Sequence, residues 1–174
     1  MTEIFEGLLA GDPSKPETTL GPLVNEKILA GLLSQVDEAA KAGARIVTGG
    51  KRMDREGYYM EPTIVAGIET SNPFFHQEAF GPVASVYIVD TEEEAVAIAN
   101  GTKFGLGSSI LSSNIEHARE LAKKIDSGMV FINSGGYTSP KVPFGGVKNS
   151  GFGRELSELG SHEFVNWKLV RVQQ

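Results

Sequence analysis

A regular pattern of apolar residues marks the first half of the chain. Residues 22–42 carry apolar side chains at steps of three and four, and this spacing predicts one long amphipathic helix. The residues that form the stripe are Leu29, Leu32, Leu33, Val36 and Ala40. Pro22 suits the first turn of a helix, and Gly43 suits its C-terminal cap. A shorter amphipathic helix is predicted over residues 2–10, followed by an exposed loop over residues 11–21.

Short β-branched runs then alternate with helical patterns. Strands are predicted at residues 45–48, 58–65, 83–89, 106–111 and 129–132, and helices at 90–100 and 114–125. Asp90 and Thr91 are predicted to cap the first of these helices. The run at 83–89 is largely β-branched and apolar, which predicts a strand buried on both faces. Alternation of this kind from Ala44 to Ile132 predicts an α/β fold with a largely parallel sheet flanked by helices.

The pattern changes after Asn133. Residues 134–153 contain six glycines and two prolines and are predicted to form a long loop, which in a compact domain is usually functional. A C-terminal helix at residues 154–159 and a final strand at 164–172 complete the prediction. That strand has no obvious partner in the preceding pattern, so we expect it to pair with another domain or subunit.

Composition narrows the class of protein. The chain has 174 residues, 40% hydrophobic and 22% charged, with a net charge of −6, which fits one ordinary domain or one domain plus an appended segment. The negative charge and scattered cations argue against a nucleic-acid partner. No apolar run is long enough to cross a membrane and the first residues do not resemble a signal peptide, so we expect a cytoplasmic protein.

Several kinds of site are excluded by residue type. The chain contains no cysteine, so it has no disulfide, no thiolate metal site and no thiol nucleophile. Its three histidines are far apart, and no metal site is predicted. Residues 146–151 have the glycine spacing of a nucleoside-triphosphate loop, but Phe152 and Gly153 stand where such a loop needs Lys and Ser or Thr. No glycine-flanked serine elbow is present either.

Two segments have more than one interpretation. Residues 74–82 are Phe-Phe-His-Gln-Glu-Ala-Phe-Gly-Pro. They fit a tight turn with its aromatic rings in the core, or a binding turn in which Glu78 accepts hydrogen bonds from sugar hydroxyls and Phe80 forms an apolar wall. Residues 143–155 are rich in glycine, and residue types alone favour a linker that leads into a helix. Both alternatives stay open on composition.

These two segments, together with several short motifs in the same order, resemble the NAD(P)-dependent aldehyde dehydrogenase superfamily over nearly the whole chain. The other matching stretches are residues 11–13, 20–24, 43–45, 48–50, 61–63, 104–106 and 130–133. The end, at residues 151–156 and 162–164, is most similar to the succinate-semialdehyde dehydrogenase branch. The resemblance implies that residues 1–143 are the C-terminal portion of a catalytic domain. Residues 144–174 would then be a glycine-rich loop, a helix and an oligomerisation strand.

The resemblance assigns cofactor roles to two residues. Glu78 matches the family glutamate that binds the nicotinamide ribose hydroxyls, and Phe80 matches the phenylalanine beside the nicotinamide ring. A carboxylate suits a diol because it accepts two hydrogen bonds and fixes the sugar. On the long helix, Ile28 and Gly31 stand where certain relatives have polar cofactor contacts, so none is predicted there.

Substrate roles follow in the same way. Phe144 matches an aromatic wall of the aldehyde tunnel, and residues 133–139 match its mouth. If the succinate-semialdehyde assignment holds, Thr138 or Ser139 would donate a hydrogen bond to the substrate carboxylate. The final strand would join an oligomerisation sheet, so the resemblance implies a homo-oligomer.

The family's nucleophilic cysteine, general-base glutamate, oxyanion asparagine and dinucleotide-binding domain precede the matching region. Because aldehyde oxidation needs a thiolate, these 174 residues alone are predicted to be inactive, as a piece of an NAD- or NADP-dependent aldehyde dehydrogenase. Two alternatives are a non-enzymatic assembly module of the same ancestry and a nucleotide-binding regulator.

Overall fold

The computed structural model describes all residues from 1 to 174. They form two compact units, Met1–Val89 and Asp90–Gln174, which we call unit 1 and unit 2. The sequence predicted a boundary between residues 143 and 144. That boundary divides the chain by proposed role and not by compactness, so it stays a prediction.

Unit 1 contains three helices and one sheet. Its elements are α1 (Thr2–Glu6), α2 (Glu26–Lys41), β1 (Arg45–Thr48), β2 (Thr63–Ala66), a 3-10 helix (Pro73–His76) and β3 (Val83–Val86). The strands lie in the order β1-β2-β3, with β2 antiparallel to β1 and parallel to β3.

Helix α2 confirms the predicted long helix, but it begins four residues later than Pro22. Asn25 is the reason, because its Oδ1 accepts a hydrogen bond of 2.9 Å from the Ile28 amide and so caps the first turn. The chain leaves the helix through Gly43, whose φ of 98° is accessible to glycine at little cost.

The core of unit 1 lies between α2 and the sheet. Its fully buried members from α2 are Leu29, Leu32, Val36 and Ala39, and its other buried members are Ala44, Met60, Val65, Ile68 and Phe74. The predicted stripe was therefore displaced by one residue at its end, since Ala39 is buried and Ala40 is exposed. This core fixes the face of α2 that remains available for a site.

One buried polar residue joins α2 to the 3-10 helix. Asn72 is 2% exposed, and its amide nitrogen donates a hydrogen bond of 3.0 Å to the Ala39 carbonyl. Its Oδ1 accepts one of 3.0 Å from the Phe74 amide. A buried amide with both ends satisfied stabilises the chain, whereas an unsatisfied one would be costly.

Unit 2 has three helices and two small sheets. Its elements are α3 (Glu92–Asn100), β4 (Phe104–Gly105), β5 (Gly107–Ile110), α4 (Ile115–Ala122), β6 (Met129–Ile132), β7 (Val147–Lys148) and α5 (Ser157–His162). Strand β5 is parallel to β6, and β4 is antiparallel to β7. The predicted cap of α3 is confirmed, since Thr91 Oγ1 accepts a 3.2 Å hydrogen bond from the Glu94 amide.

The structure does not contain the largely parallel sheet that the sequence predicts. It has small mixed sheets of three, two and two strands. Between β1 and β2 the chain has no helix, and a parallel connection usually needs one, so β2 returns antiparallel to β1. Strand β3 lies at a sheet edge and is only half-buried, which corrects the prediction of a strand buried on both faces.

The two predicted elements at the C-terminus also differ. The helix runs over Ser157–His162 rather than 154–159, because Leu156 and Ser157 have positive φ values of 61° and 55° that interrupt any earlier turn. Residues 164–172 form no strand. No segment of the chain supplies the hydrogen bonds that a strand requires, and Phe164 and Leu169 are 90% and 91% exposed.

None of the helices has the length and apolar character that crossing a membrane requires.

Candidate functional site

The turn that carries Glu78 is held against α2 by tight packing. Phe74 is buried at one end of this turn. At the other end, a Cβ added to Gly81 would overlap Cδ2 of Leu32 and lie 3.0 Å from Cδ2 of Leu23. The methyl groups of both leucines therefore pack directly against the main chain at Gly81, and a side chain at this position would require them to move.

A small cavity lies between this turn and the exposed face of α2. It has a volume of about 180 Å³. We call it the Glu78 cavity, and it is lined by Lys27, Ile28, Gly31, Leu32, Gln35, Glu78 and Phe80. The structure thus brings together the two residues to which the resemblance assigns cofactor roles. Phe80 is 65% exposed, so it is not one of the aromatic residues that form the core.

The polar groups of the Glu78 cavity come from both of its walls. Gln35 Nε2 donates a weak hydrogen bond of 3.4 Å to the main-chain carbonyl of Glu78. Glu78 itself lines the cavity, and its carboxylate forms no salt bridge within the chain. Sequence reasoning missed Lys27 and Gln35. Their spacing to Gly31, four residues each way on α2, was the available indication, since such residues share a helix face.

A second, larger cavity lies wholly within unit 2. Its volume is about 430 Å³. We call it the Phe144 cavity, and it is lined by Leu106, Gly107, Ser108, Ser109, Met129, Phe131, Gly136, Tyr137, Thr138 and Phe144. Its lining combines apolar walls with hydroxyl groups and contains no charged side chain. A cavity of this kind binds a small molecule by shape and by a few hydrogen bonds.

Phe144 is fixed in this cavity by its main chain. Its amide donates to the Glu155 carbonyl at 2.8 Å, and its carbonyl accepts from the Glu155 amide at 2.7 Å. Arg154 Nη1 adds hydrogen bonds of 2.9 Å to the Gly146 carbonyl and 2.7 Å to the Gly153 carbonyl. The glycine-rich segment at residues 143–155 is therefore ordered and is not a free linker, and we call it the clip.

Close backbone packing supports the same clip from the other side. A Cβ added to Gly128 would overlap the carbonyl oxygen of Gly145 and approach its carbonyl carbon to 2.8 Å. Position 128 just precedes β6, whose Met129 and Phe131 line the cavity. The segment before β6 and the clip are in direct contact because Gly128 has no side chain.

The two hydroxyl residues predicted at the cavity mouth lie in different places. Thr138 lines the Phe144 cavity together with Gly136 and Tyr137. Ser139 does not line it, and its Oγ accepts a hydrogen bond of 3.3 Å from the Lys141 amide. A substrate role for Ser139 therefore has no geometric support here and stays a prediction.

Sequence reasoning also missed most of the walls of the Phe144 cavity. Met129 and Phe131 are two residues apart on β6, which places them on one face of the strand. They pair in register with Gly107 and Ser109 of β5. This alternation was visible in the sequence, but nothing in it indicated that the shared face borders a cavity.

Both cavities are suited to binding, and the chain supplies no thiol nucleophile to either. No cysteine is present, and no cluster of three or more His, Asp or Glu side chains could hold a metal ion. The carboxylate of Glu78 can accept hydrogen bonds from hydroxyl groups of a ligand. The hydroxyl groups around Phe144 can donate hydrogen bonds to a ligand.

Comparison with known proteins matches this arrangement to one family. The sequence profile described as the aldehyde dehydrogenase family matches residues 1–170. The NADP-dependent succinate-semialdehyde dehydrogenase of Deinococcus radiodurans is 45% identical over 170 residues, which are 98% of this chain and 36% of that protein. This chain is thus homologous to enzymes of that type.

Solved structures agree with the sequence match. The succinic semialdehyde dehydrogenase of Streptococcus pyogenes, in complex with NADP+, superposes with a TM-score of 0.94 at 48% identity, covering 99% of this chain and 38% of that one. The betaine aldehyde dehydrogenase of Staphylococcus aureus, in complex with NAD+, gives a TM-score of 0.89 at 34% identity, covering 93% of this chain and 33% of that one.

The chain spans a little over a third of the length of these relatives, and the match extends over almost all of its own residues. By the profile match and the superposed structures together, the chain belongs to the aldehyde dehydrogenase family.

Proposed function

We propose that this chain is the C-terminal part of an NADP-dependent aldehyde dehydrogenase that oxidises succinate semialdehyde to the carboxylic acid. The observation that carries the proposal is the shared cavity of Glu78 and Phe80, in a chain 45% identical to the D. radiodurans enzyme. In this proposal the chain binds the nicotinamide end of the cofactor and the aldehyde, and the nucleophilic thiolate comes from elsewhere in the enzyme.

The Glu78 cavity fits the nicotinamide ribose. The Glu78 carboxylate has no protein partner, so both oxygens are free to accept hydrogen bonds from a ribose diol. A Cβ added to Gly31 meets no atom within 4 Å, which leaves room beside α2 for the sugar. Phe80 offers an apolar face to the nicotinamide ring. When bound, NADP+ would supply the hydride acceptor of the reaction.

The Phe144 cavity fits a short aldehyde. Its apolar walls suit a methylene chain. Thr138 also lines the cavity, and in this proposal its hydroxyl donates a hydrogen bond to a carboxylate at the far end of the substrate. Tyr137 supplies a second hydroxyl in the same lining. The lack of a cation in this lining means that a substrate carboxylate would be held by neutral donors from this chain.

Enzyme assays of the purified chain and of a longer protein test the proposal. The chain alone should give no aldehyde-dependent increase in NADPH absorbance, because it has no thiol to attack the carbonyl. The product of the same reading frame extended upstream of residue 1 should oxidise succinate semialdehyde, and in it Glu78→Gln should raise KM for NADP+. Turnover by the 174-residue chain alone, or an extended enzyme indifferent to Glu78→Gln, would contradict the proposal.

A second candidate is a non-enzymatic assembly module. The observation in its favour is the exposed apolar tail at residues 164–172, in which Trp167, Leu169 and Val172 are 74%, 91% and 82% exposed. The same tail would make the full enzyme a homo-oligomer if it pairs as a strand with another subunit. Light scattering distinguishes the outcomes, since a monomer at every concentration counts against both assembly roles. A cytoplasmic location stays a prediction.

A further inference from the structure

We infer that Lys27 completes the Glu78 cavity as a phosphate-binding residue, so that one subsite holds a ribose at Glu78 and its 5′-phosphate at Lys27. This inference rests on the proposed function, because it assumes that the Glu78 cavity binds a nucleotide. It adds a residue and a chemical group to that site. The subsite would recognise a nucleoside monophosphate unit rather than a sugar or a phosphate alone.

Two unpaired opposite charges line this one small cavity. Neither the ammonium of Lys27 nor the carboxylate of Glu78 takes part in any of the salt bridges of the chain. By contrast, Glu26, the residue next to Lys27, forms a salt bridge of 2.7 Å with Arg52. The carboxylate nearest in sequence to Lys27 is therefore already engaged, and the Lys27 charge stays available for a ligand.

The size of the cavity limits what can occupy it. Its volume of about 180 Å³ is below the roughly 300–1,000 Å³ of sites that enclose a drug-sized ligand. It can thus hold one sugar and its substituent, but not a whole dinucleotide. Gly31 lies between Lys27 and Gln35 on the same helix face, and its missing side chain keeps the centre of the cavity open.

The arrangement of charge selects the orientation of the ligand. A phosphate placed beside Glu78 would be repelled by the carboxylate, whereas one beside Lys27 meets a compact cation with three donors. Hydroxyls placed beside Glu78 can donate to it. A ligand with a diol at one end and a phosphate at the other therefore satisfies both groups, and inorganic phosphate satisfies only one.

The experiment compares two probes on the 174-residue chain. Nicotinamide mononucleotide carries the 5′-phosphate and nicotinamide riboside lacks it, and NMR titration measures the binding of each in the millimolar range. We expect the mononucleotide to bind about three- to tenfold more tightly, which is the range of a partly screened charge-assisted hydrogen bond. The preference should weaken as salt is raised, because the pair is solvent-exposed.

Four variants separate the contributions of individual residues to the binding of the two probes. Lys27→Met should abolish the preference for the mononucleotide and leave riboside binding unchanged. Lys51→Met removes the same charge from an exposed position of unit 1 outside the cavity, so it should leave the preference intact. Gly31→Leu should weaken both probes by filling the cavity, and Glu78→Gln should weaken both by removing the acceptor for the diol.

The outcomes distinguish this inference from the proposed function. If the wild-type chain binds both probes equally, binds neither, or keeps its preference in Lys27→Met, the Lys27 subsite is overturned. If Glu78→Gln binds both probes as the wild type does, the ribose site of the proposed function is wrong, whatever Lys27 does.

Discussion

The two compact units of the chain differ in what they do with their apolar residues. Unit 1 encloses a core, and all but one of the buried hydrophobic residues of the chain lie in it. Unit 2 contributes only Ala118 to that set, and the residues of its strand β6 are half-buried. Some of its large apolar side chains line the Phe144 cavity. Others face solvent, among them Leu111 and Trp167.

This difference separates stability from binding capacity. A unit with a closed core gains free energy from burial, whereas a unit whose apolar groups surround a cavity keeps that surface for a ligand or for another part of a protein. The Glu78 cavity is on the outside of a well-packed unit. The Phe144 cavity is lined by residues of β5, β6 and the neighbouring loops of unit 2.

The largest expected effect comes from a deletion in the core of unit 1. Leu29→Ala should lower the free energy of unfolding by about 2–5 kcal/mol, because it removes fully buried methyl groups and leaves a cavity. Leu111→Ala in unit 2 is the matched control, since Leu111 is 80% exposed and its loss should stay within about 0.5 kcal/mol. Urea denaturation followed by circular dichroism measures both, and equal losses would erase the contrast between the units.

A smaller loss is expected at the polar centre of unit 1. Asn72→Ala should cost about 1–3 kcal/mol, because it leaves the buried Phe74 amide without its partner. It also removes one of two hydrogen bonds to the Ala39 carbonyl, which keeps the one from the Ala44 amide. Asn149→Ala, at an exposed position of unit 2, is the control. Thermal unfolding of the two variants checks the prediction, and an unchanged melting temperature for Asn72→Ala would contradict it.

A stabilising change of up to about 1 kcal/mol is expected on α2. Gly31→Ala adds a helix-favouring residue where the new Cβ meets no atom within 4 Å. Gly43→Ala should have the opposite sign, because φ at Gly43 is 98°, a conformation that alanine rarely adopts. Melting temperatures that rise for the first variant and fall for the second confirm the prediction. A fall for both would mean that α2 does not tolerate a side chain at position 31.

The smallest expected effect is a pH dependence in unit 2. Hydrogen bonds from His117 and then from Lys124 hold the pKa of the Glu92 carboxyl below its ordinary value of 4.5. The unfolded chain therefore binds this proton at a higher pH than the folded chain does. The stabilising contribution is complete above about pH 4.5 and is lost as the pH falls through the lower folded pKa.

Glu92→Gln tests this dependence, since the variant should lose less stability than the wild type between neutral pH and acid. The denaturation midpoint of the variant should fall less steeply as the pH is lowered than that of the wild type. The same fall in both proteins would exclude Glu92 as a contributor.

Local features of the fold were predictable from the sequence, and long-range pairing was not. Helix α3 with its Thr91 cap and strand β6 were predicted closely, because capping residues and short apolar runs act through neighbouring residues. The antiparallel pairing of β1 with β2 and the absence of a strand at 164–172 depend on which segments meet in space. A strand pattern specifies a face but not a partner.

The candidate site shows the same division. Glu78 and Phe80 could be located through the resemblance of their segment, and the structure brings them to one cavity. Lys27 and Gln35 were missed, because their spacing of four residues to Gly31 indicates a shared helix face but not which segment lies opposite that face. The contact that identifies Gln35 joins it to a residue 43 positions away along the chain. Ser139 was named because the resemblance places residues 133–139 at the tunnel mouth and because it carries a hydroxyl, and neither fact indicates the direction of its side chain.

The contact between Gly128 and Gly145 has a consequence for anyone who screens variants of this protein. Any side chain at position 128 must push the neighbouring main chain aside, and that main chain carries Phe144. Substitutions at Gly128 would thus shift Phe144 and change the shape of the Phe144 cavity, although Gly128 does not line that cavity. A selection for new substrates that randomised only the lining of the cavity would pass over it.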